Sequence, residues 1–142
     1  MYSRSDNPIL IVDFDGTISL RQDRDPFEWS RLLQDRPNAN VIWLLRVARD
    51  AGAKIVIVTG REERLRGASE AWLKLHLGFC PDMFMRTDGD TRMDAVVKKE
   101  IFENSISSLA GSFLVLDDRN QTVGMWRKVL GLQVFQVADG DF

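Results

Sequence analysis

Short, unbroken apolar runs alternate along the chain with stretches of helical periodicity. Ile9-Leu10-Ile11-Val12 leads straight into Asp13-Phe14-Asp15-Gly16-Thr17. An apolar run bounded in this way by turn residues predicts a strand buried on both faces, as in parallel sheets. Lys54-Ile55-Val56-Ile57-Val58-Thr59, closed by Gly60, repeats the pattern. Met83–Arg86, Phe113–Leu116 and Leu132–Val137 predict three further strands, and the middle one again runs into acids, Asp117 and Asp118. Between the strands, Val41, Leu44, Leu45 and Ala48 predict a helix over 40–51 that Gly52 stops. Leu65, Ser69, Trp72 and His76 predict another over 62–77, ended by Gly78 and Pro81. Thr91-Arg92-Met93-Asp94 has the spacing of a capping box. It predicts a helix to about Ser105 that packs through Met93, Val97 and Ile101. Val123, Trp126, Arg127 and Leu130 mark a last helix, ended by Gly131. Residues 1–8 read as a polar arm. Residues 18–37 carry charges and two prolines without a clear period, which predicts an irregular excursion with a small flap anchored by Phe27 and Trp29.

Strands alternating with helices predict an α/β fold. It is expected to be three-layered and Rossmann-like, with a mostly parallel five-stranded sheet, helices on both faces and only a small cap or flap. In such sheets ligands sit at the carboxyl ends of the strands, near the switch in strand order. Asp13 and Asp15, Thr59, and Asp117 and Asp118 all stand at predicted strand ends, so they should share one rim. Crowded carboxylates repel one another unless a cation joins them, and an all-oxygen donor set with few protein ligands suits Mg²⁺. Asp13 and Asp117 or Asp118 could supply that site, with Asp15 adding its backbone carbonyl. Thr59 offers a hydroxyl, Gly16 and Gly60 offer backbone N–H groups, and Arg61 and Lys98 add positive charge. A carboxylate nucleophile, a metal and donors around the equatorial oxygens are the equipment of phosphoryl transfer.

Composition narrows the setting. The 142 residues suffice for a single domain spanning the chain. A lone cysteine, Cys80, rules out an internal disulfide and points to a reducing, cytoplasmic location. No apolar run has the length of a membrane span, and the start of the chain lacks a signal-peptide pattern. A net charge of −2 argues against a general nucleic-acid coat but allows a local basic rim.

The order Asp13-Phe14-Asp15-Gly16-Thr17, Thr59-Gly60-Arg61, Lys98 and Asp117-Asp118 resembles the haloacid dehalogenase superfamily of phosphotransferases, across the whole chain. The resemblance implies that Asp13 attacks phosphorus to form an aspartyl-phosphate. Asp15 would protonate the leaving oxygen and then activate water, and Thr59 and Lys98 would hold the phosphoryl oxygens. Asp13, Asp15, Asp117 and Asp118 would form the Mg²⁺ site, with one of the last two orienting its neighbours. A closer likeness lies in Met85–Arg92, Asp94–Phe102, Asp117–Gln121, Met125-Trp126-Arg127 and Val137–Phe142, which look like the 3′-phosphatase domain of phage-type polynucleotide kinase–phosphatases. It implies Phe14, Gly60, Arg61, Arg24 and Asp94 as substrate or phosphate contacts, and 3′-phosphate ends of DNA or RNA as substrate. No Gly-x-x-x-x-Gly-Lys-Ser/Thr motif occurs, so a separate kinase or ligase is the expected partner, with host cytoplasm the setting if the chain is phage-encoded.

Two other readings stay open at this point. One is a small-molecule phosphatase such as a nucleotidase, although the short spacing from Arg61 to Lys98 leaves little chain for an enclosing cap. The other is a phosphorelay receiver, whose acidic pair comes first rather than last. Blander readings apply elsewhere. His76, Trp72 and Trp126 read as packing residues, Cys80 as a small buried hydrophobe, and the Arg31–Arg36 and Arg61–Arg66 charges as a solvated face. Asp94 can be both a helix cap and a functional acid.

Overall fold

The computed structural model describes residues 7–21, 25 and 28–142. Arg24, Phe27 and most of the amino-terminal arm lie outside the described residues. Strands β1 (Ile9–Val12), β4 (Lys54–Glu62), β5 (Asp82–Arg86), β6 (Phe113–Asp117) and β7 (Gln133–Gln136) form, among the described residues, a five-stranded sheet in the order β5-β4-β1-β6-β7. Every pairing in it is parallel. The chain runs outward from β1 to β4 and β5, then returns to the other side of β1 for β6 and β7. The reversal of strand order therefore falls at β1, whose carboxyl end carries Asp13.

Alternate residues of the central strands feed opposite faces, as the pleat requires. Leu10, Val12, Ile55 and Ile57 pack with Val41, Ile42, Leu45, Trp72 and Leu73, from helices α1 (Ala39–Asp50) and α2 (Arg66–His76). Ile9, Ile11, Val56 and Val58 pack with Phe102, Val123 and Trp126 on the other face, beneath helices α3 (Asp94–Ile101) and α4 (Asn120–Gly124). The three-layer arrangement expected from the sequence is thus the one observed. The excursion after β1 is a small flap. Its two-residue strands β2 (Ser19–Leu20) and β3 (Arg36–Pro37) pair antiparallel, and a 3-10 turn over Trp29–Gln34 joins them to the core. No helix among the described residues is long and apolar enough to cross a membrane.

The structure corrects several details. β4 does not close at Gly60 but continues to Glu62, with a register shift between Thr59 and Glu62. The helix expected from residue 62 starts as a 3-10 turn, Glu63–Leu65, before α2. No capping box forms at Thr91. α3 begins at Asp94, preceded by Met93, with no side-chain cap bond, because the Asp94 carboxylate is taken by arginines. Met93, lying before the helix, is exposed rather than packed. α3 and α4 each pass into a π turn, over Phe102–Ile106 and Met125–Val129. Cys80 sits in the loop between α2 and β5 and is exposed, not buried.

Candidate active site

The parallel register places the ends of β1 and β6 side by side, with Val12 opposite Leu116, so Asp13 and Asp117 emerge together. The Asp13 N–H donates to the Leu116 carbonyl at 2.9 Å and fixes that step. Among the described residues, Asp13, Asp117 and Asp118 each offer a carboxylate oxygen within 4.8 Å of the others. All three are buried. Burial, with the repulsion of Asp117, lifts the Asp13 carboxyl well above the usual carboxylate range. Burial likewise raises Asp118.

Lys98, on α3 and only 3 % exposed, donates from Nζ to Asp13 Oδ1 at 2.7 Å and to Asp117 Oδ2 at 3.2 Å. Burial alone would lower its pKa. The charges of Asp117 and Asp13 outweigh that and hold the ammonium well above its normal range. The two acids of the last motif differ in their environments. Asp117 Oδ2 also accepts from Trp126 Nε1 at 3.1 Å, and its Oδ1 accepts from the Asp118 N–H at 2.8 Å and, more weakly, the Arg119 N–H. Against burial, Lys98 and Trp126 keep Asp117 below its usual value. Both Asp117 oxygens thus have protein donors, while the Asp118 carboxylate turns toward Asp13 and Gly16. Gly16, at φ +83°, makes the room: a Cβ there would stand 2.1 Å from Asp118 Oδ2. Oxygen-only donors, buried and mutually repelling, fit a divalent cation.

Asp15 is not part of this cluster. Its carboxylate accepts two bonds from Arg61, Nε to Oδ2 at 2.9 Å and Nη2 to Oδ1 at 2.7 Å. Arg61 itself is 2 % exposed. Its guanidinium lies 3.8 Å from the Phe14 ring centroid, donates to Ser69 Oγ at 2.9 Å and stands 3.8 Å from the buried Asp35 carboxylate in the flap. The basic side chain at the end of β4 is therefore no solvated face but a link between the core, Asp15 and the flap. Thr59 is buried and its hydroxyl accepts the Arg61 N–H at 3.1 Å. The irregular stretch after Thr59 brings Gly60 against Asp94, where a Cβ would meet Oδ1 at 2.6 Å. Asp94 is held by Arg86 through its Oδ1 and by Arg119 Nη1 at 3.0 Å through its Oδ2. Arg86 also donates to the Gly60 carbonyl at 2.9 Å, closing the ring of contacts. Phe14 is wholly buried, under Arg61 and 5.5 Å from Trp72.

Asp13, Lys98, Asp117 and Asp118 are thus brought together, with Asp15, Arg61, Thr59, Gly60 and Asp94 beside them. The sequence assigns no role in the site to Asp35, Ser69, Arg86, Arg119, Thr17 or the Trp126 N–H. Thr17 donates to Asp13 Oδ2 at 3.2 Å. A general signal existed for Trp126, since a buried indole N–H needs an acceptor.

Residues 7–142 match the family of the polynucleotide kinase PNKP phosphatase domain. The chain belongs to that family. It is a PNKP-type phosphatase domain of the haloacid dehalogenase superfamily, with the clustered aspartates of an aspartyl-phosphate hydrolase. A protein of Autographa californica nuclear polyhedrosis virus, named a putative bifunctional polynucleotide kinase/RNA ligase, is 29% identical over 131 residues, 90% of this chain and 19% of the viral protein. Solved structures of a Pnkp1/Rnl/Hen1 complex and of the Pnkp1/Rnl/Hen1 RNA repair complex contain chains that superpose with a TM-score of 0.89, at 39% and 40% identity. They cover 97% of the PNKP-type domain, which spans 48% and 44% of those chains.

The Trp126 bond carries a prediction. Trp126→Phe keeps an aromatic side chain but deletes the indole donor to Asp117 and leaves part of a fully buried site unfilled, and should cost about 2–3 kcal/mol of stability, more if Asp117 loses its orientation. Thermal unfolding with and without divalent metal measures it, and an unchanged melting temperature in both would show the bond to be idle.

Proposed function

We propose that this phosphatase domain removes the terminal 3′-phosphate from DNA or RNA ends in a Mg²⁺-dependent reaction through an aspartyl-phosphate on Asp13. The observation that carries the reading is the placement of Asp13 at the switch in strand order, beside Lys98, Asp117 and Asp118, in a chain of the PNKP phosphatase family. Asp13, Asp118 and the Asp15 backbone carbonyl are the expected metal ligands, with Asp117 tied to its four donors as the orienting acid. A bound Mg²⁺ would supply the positive charge that lets crowded carboxylates face a phosphoryl group.

In the first step an Asp13 oxygen attacks phosphorus and the bond to the 3′ oxygen breaks. Asp15 gives that leaving oxygen a proton. In the second step Asp15 takes a proton from water, whose oxygen attacks phosphorus and releases phosphate, restoring Asp13. Lys98 and Thr59 face the equatorial oxygens, with the Phe14 and Gly60 backbone beside them. Arg61 fixes the position of Asp15. Asp94, braced by Arg86 and Arg119, shapes the wall next to Gly60, and Arg24 remains a proposed substrate contact.

The small flap favours a polynucleotide end over a metabolite, since a small ligand usually binds in a deeper enclosure. The similarity to a viral protein named as a polynucleotide kinase/RNA ligase, and to chains in an RNA repair complex, supports a kinase, a ligase or both as working partners. The exposed free thiol of Cys80 supports a reducing, cytoplasmic setting.

Phosphate release from a 3′-phosphorylated oligonucleotide, against mononucleotides and sugar phosphates at equal concentration, tests the substrate. A clear preference for the oligonucleotide, lost without Mg²⁺, is expected, and preference for the small phosphates would return the reading to a nucleotidase. Asp15→Asn should slow a natural substrate by about 10²- to 10⁴-fold but an aryl phosphate, whose leaving group needs no proton, much less in its first step. Equal loss on both substrates in single-turnover kinetics would remove Asp15 from the acid's role.

A further inference from the structure

Asp118 is held on two sides by glycines. Gly16 makes space for its carboxylate, and on the backbone side the buried Gly140 lies so close that an added Cβ would stand 1.8 Å from the Asp118 carbonyl oxygen and 2.6 Å from its carbon. This second contact belongs to a clasp. After β7 the Val137 N–H donates to the Asp117 carbonyl at 3.1 Å, and the chain then folds back over the loop that opens α4. Gln136 Nε2 donates to the Asp118 carbonyl at 2.9 Å and to Asn120 Oδ1 at 2.7 Å. The Asn120 N–H, an otherwise orphaned donor of the first helical turn, donates to the Gly140 carbonyl at 2.8 Å. Arg119 Nε donates to the Phe142 carbonyl at 3.0 Å, and its guanidinium lies 5.4 Å from the Phe142 ring centroid. Apart from one turn bond within the segment, these bonds end on the loop 117–120.

We propose that residues 136–142 are a positioning element for the Asp118 carboxylate, with Gly140 as the point of contact, and that they set how tightly the three-carboxylate cluster holds a divalent cation. The inference rests on the metal reading above. Among the described residues, the Asp118 carboxyl bonds to the Asp13 carboxyl and to its own backbone N–H, whereas Asp117 is fixed by the Lys98 ammonium and the Trp126 indole. Its aim is set through its backbone, and the backbone is set by the clasp. Partners that orient a metal ligand from behind typically change metal affinity 10- to 100-fold when lost.

The test uses the whole chain with Mn²⁺ as a spectroscopic probe. Free Mn²⁺ is titrated by electron paramagnetic resonance against wild type, Gly140→Ala and Gln136→Met, and metal-free unfolding is followed by circular dichroism. Gly140→Ala should weaken Mn²⁺ binding by about 10- to 100-fold. Gln136→Met, which deletes two bonds made by an exposed side chain, should weaken it by roughly 2- to 10-fold with a far smaller effect on the metal-free melting temperature. A purely structural clasp would lower the melting temperature and leave the dissociation constant of the folded variants alone. Wild-type affinity in either folded variant overturns the proposal, as does a wild-type chain that binds no Mn²⁺. If Gly140→Ala does not fold, Gln136→Met decides. Weakened Mn²⁺ binding in the variants of a chain that leaves 3′-phosphates intact would overturn the substrate reading and uphold this one. Normal binding in variants of an active chain would do the reverse.

Discussion

Asp13→Asn should abolish turnover, with phosphate release from a 3′-phosphorylated oligonucleotide falling by about 10⁴-fold or more, the scale on which loss of a nucleophile is felt. The amide keeps the shape of the side chain. Its one oxygen can still accept from Lys98 Nζ, which stands 2.7 Å from Oδ1, while the amide nitrogen in place of Oδ2 donates to the Thr17 hydroxyl instead of accepting from it. What it loses is the charge that attacks phosphorus in the proposed mechanism. Because one buried negative charge is also removed from a cluster in which burial and Asp117 oppose ionisation, the variant should fold at least as stably as wild type. The expected signature is therefore a stable, inactive protein. Activity within tenfold of wild type would place the phosphorylated group elsewhere.

Lys98→Met is expected to damage both activity and stability. The ammonium is the cation shared by Asp13 and Asp117, with side-chain exposures of 3 %, 8 % and 1 % for the three groups. Breaking a buried pair by removing one partner typically costs 3–5 kcal/mol, so metal-free Lys98→Met should melt roughly 10 °C below wild type. The deficit has a definite pH dependence. With Lys98 gone, the raised Asp13 pKa rises further, and a raised acid pKa weakens the fold as pH climbs through it. The loss should be small in acid and largest at neutral pH. A divalent cation should restore more stability to this variant than to wild type, because it replaces the missing charge, yet turnover should stay about 10²-fold down or lower without a donor to the phosphoryl oxygens. Melting curves at two pH values, with and without Mg²⁺, measure this. Identical melting temperatures for variant and wild type would contradict the pairing.

What the sequence revealed and what it hid have physical causes. β1 and β6 were legible because a fully buried strand of a parallel sheet is a plain apolar run, and acids directly after it can only stand at the rim. Lys98 and Thr59 became legible through the order of the motifs. The partners of charged side chains were not. Arg61 and Arg66 look alike in sequence, yet Arg66 pairs with Glu63 at the surface while Arg61 is sealed between Phe14, Asp15 and Asp35. Nothing local records a contact across 46 positions. Asp94 shows the converse failure. Its capping-box spacing was real, but Arg86 and Arg119 offered its carboxylate charged donors, which outcompete a backbone N–H. Trp126 followed the apolar stripe of its helix, and only the assembled core reveals that its N–H reaches Asp117. Cys80 was misjudged because a small thiol is buried only where the chain around it is, and here the chain is passing between two elements.

The pairing of β1 with β6 has a kinetic side. Ile9 lies against Phe113 and Val12 against Leu116, so the middle of the sheet is joined by residues from distant parts of the chain. Closing so large a loop costs entropy before any contact repays it, and such topologies fold slowly. The carboxylates of β1 cannot meet those of β6 until that closure is complete. A half-folded chain therefore holds its acids apart, and chemistry begins only in a molecule whose core is already sealed.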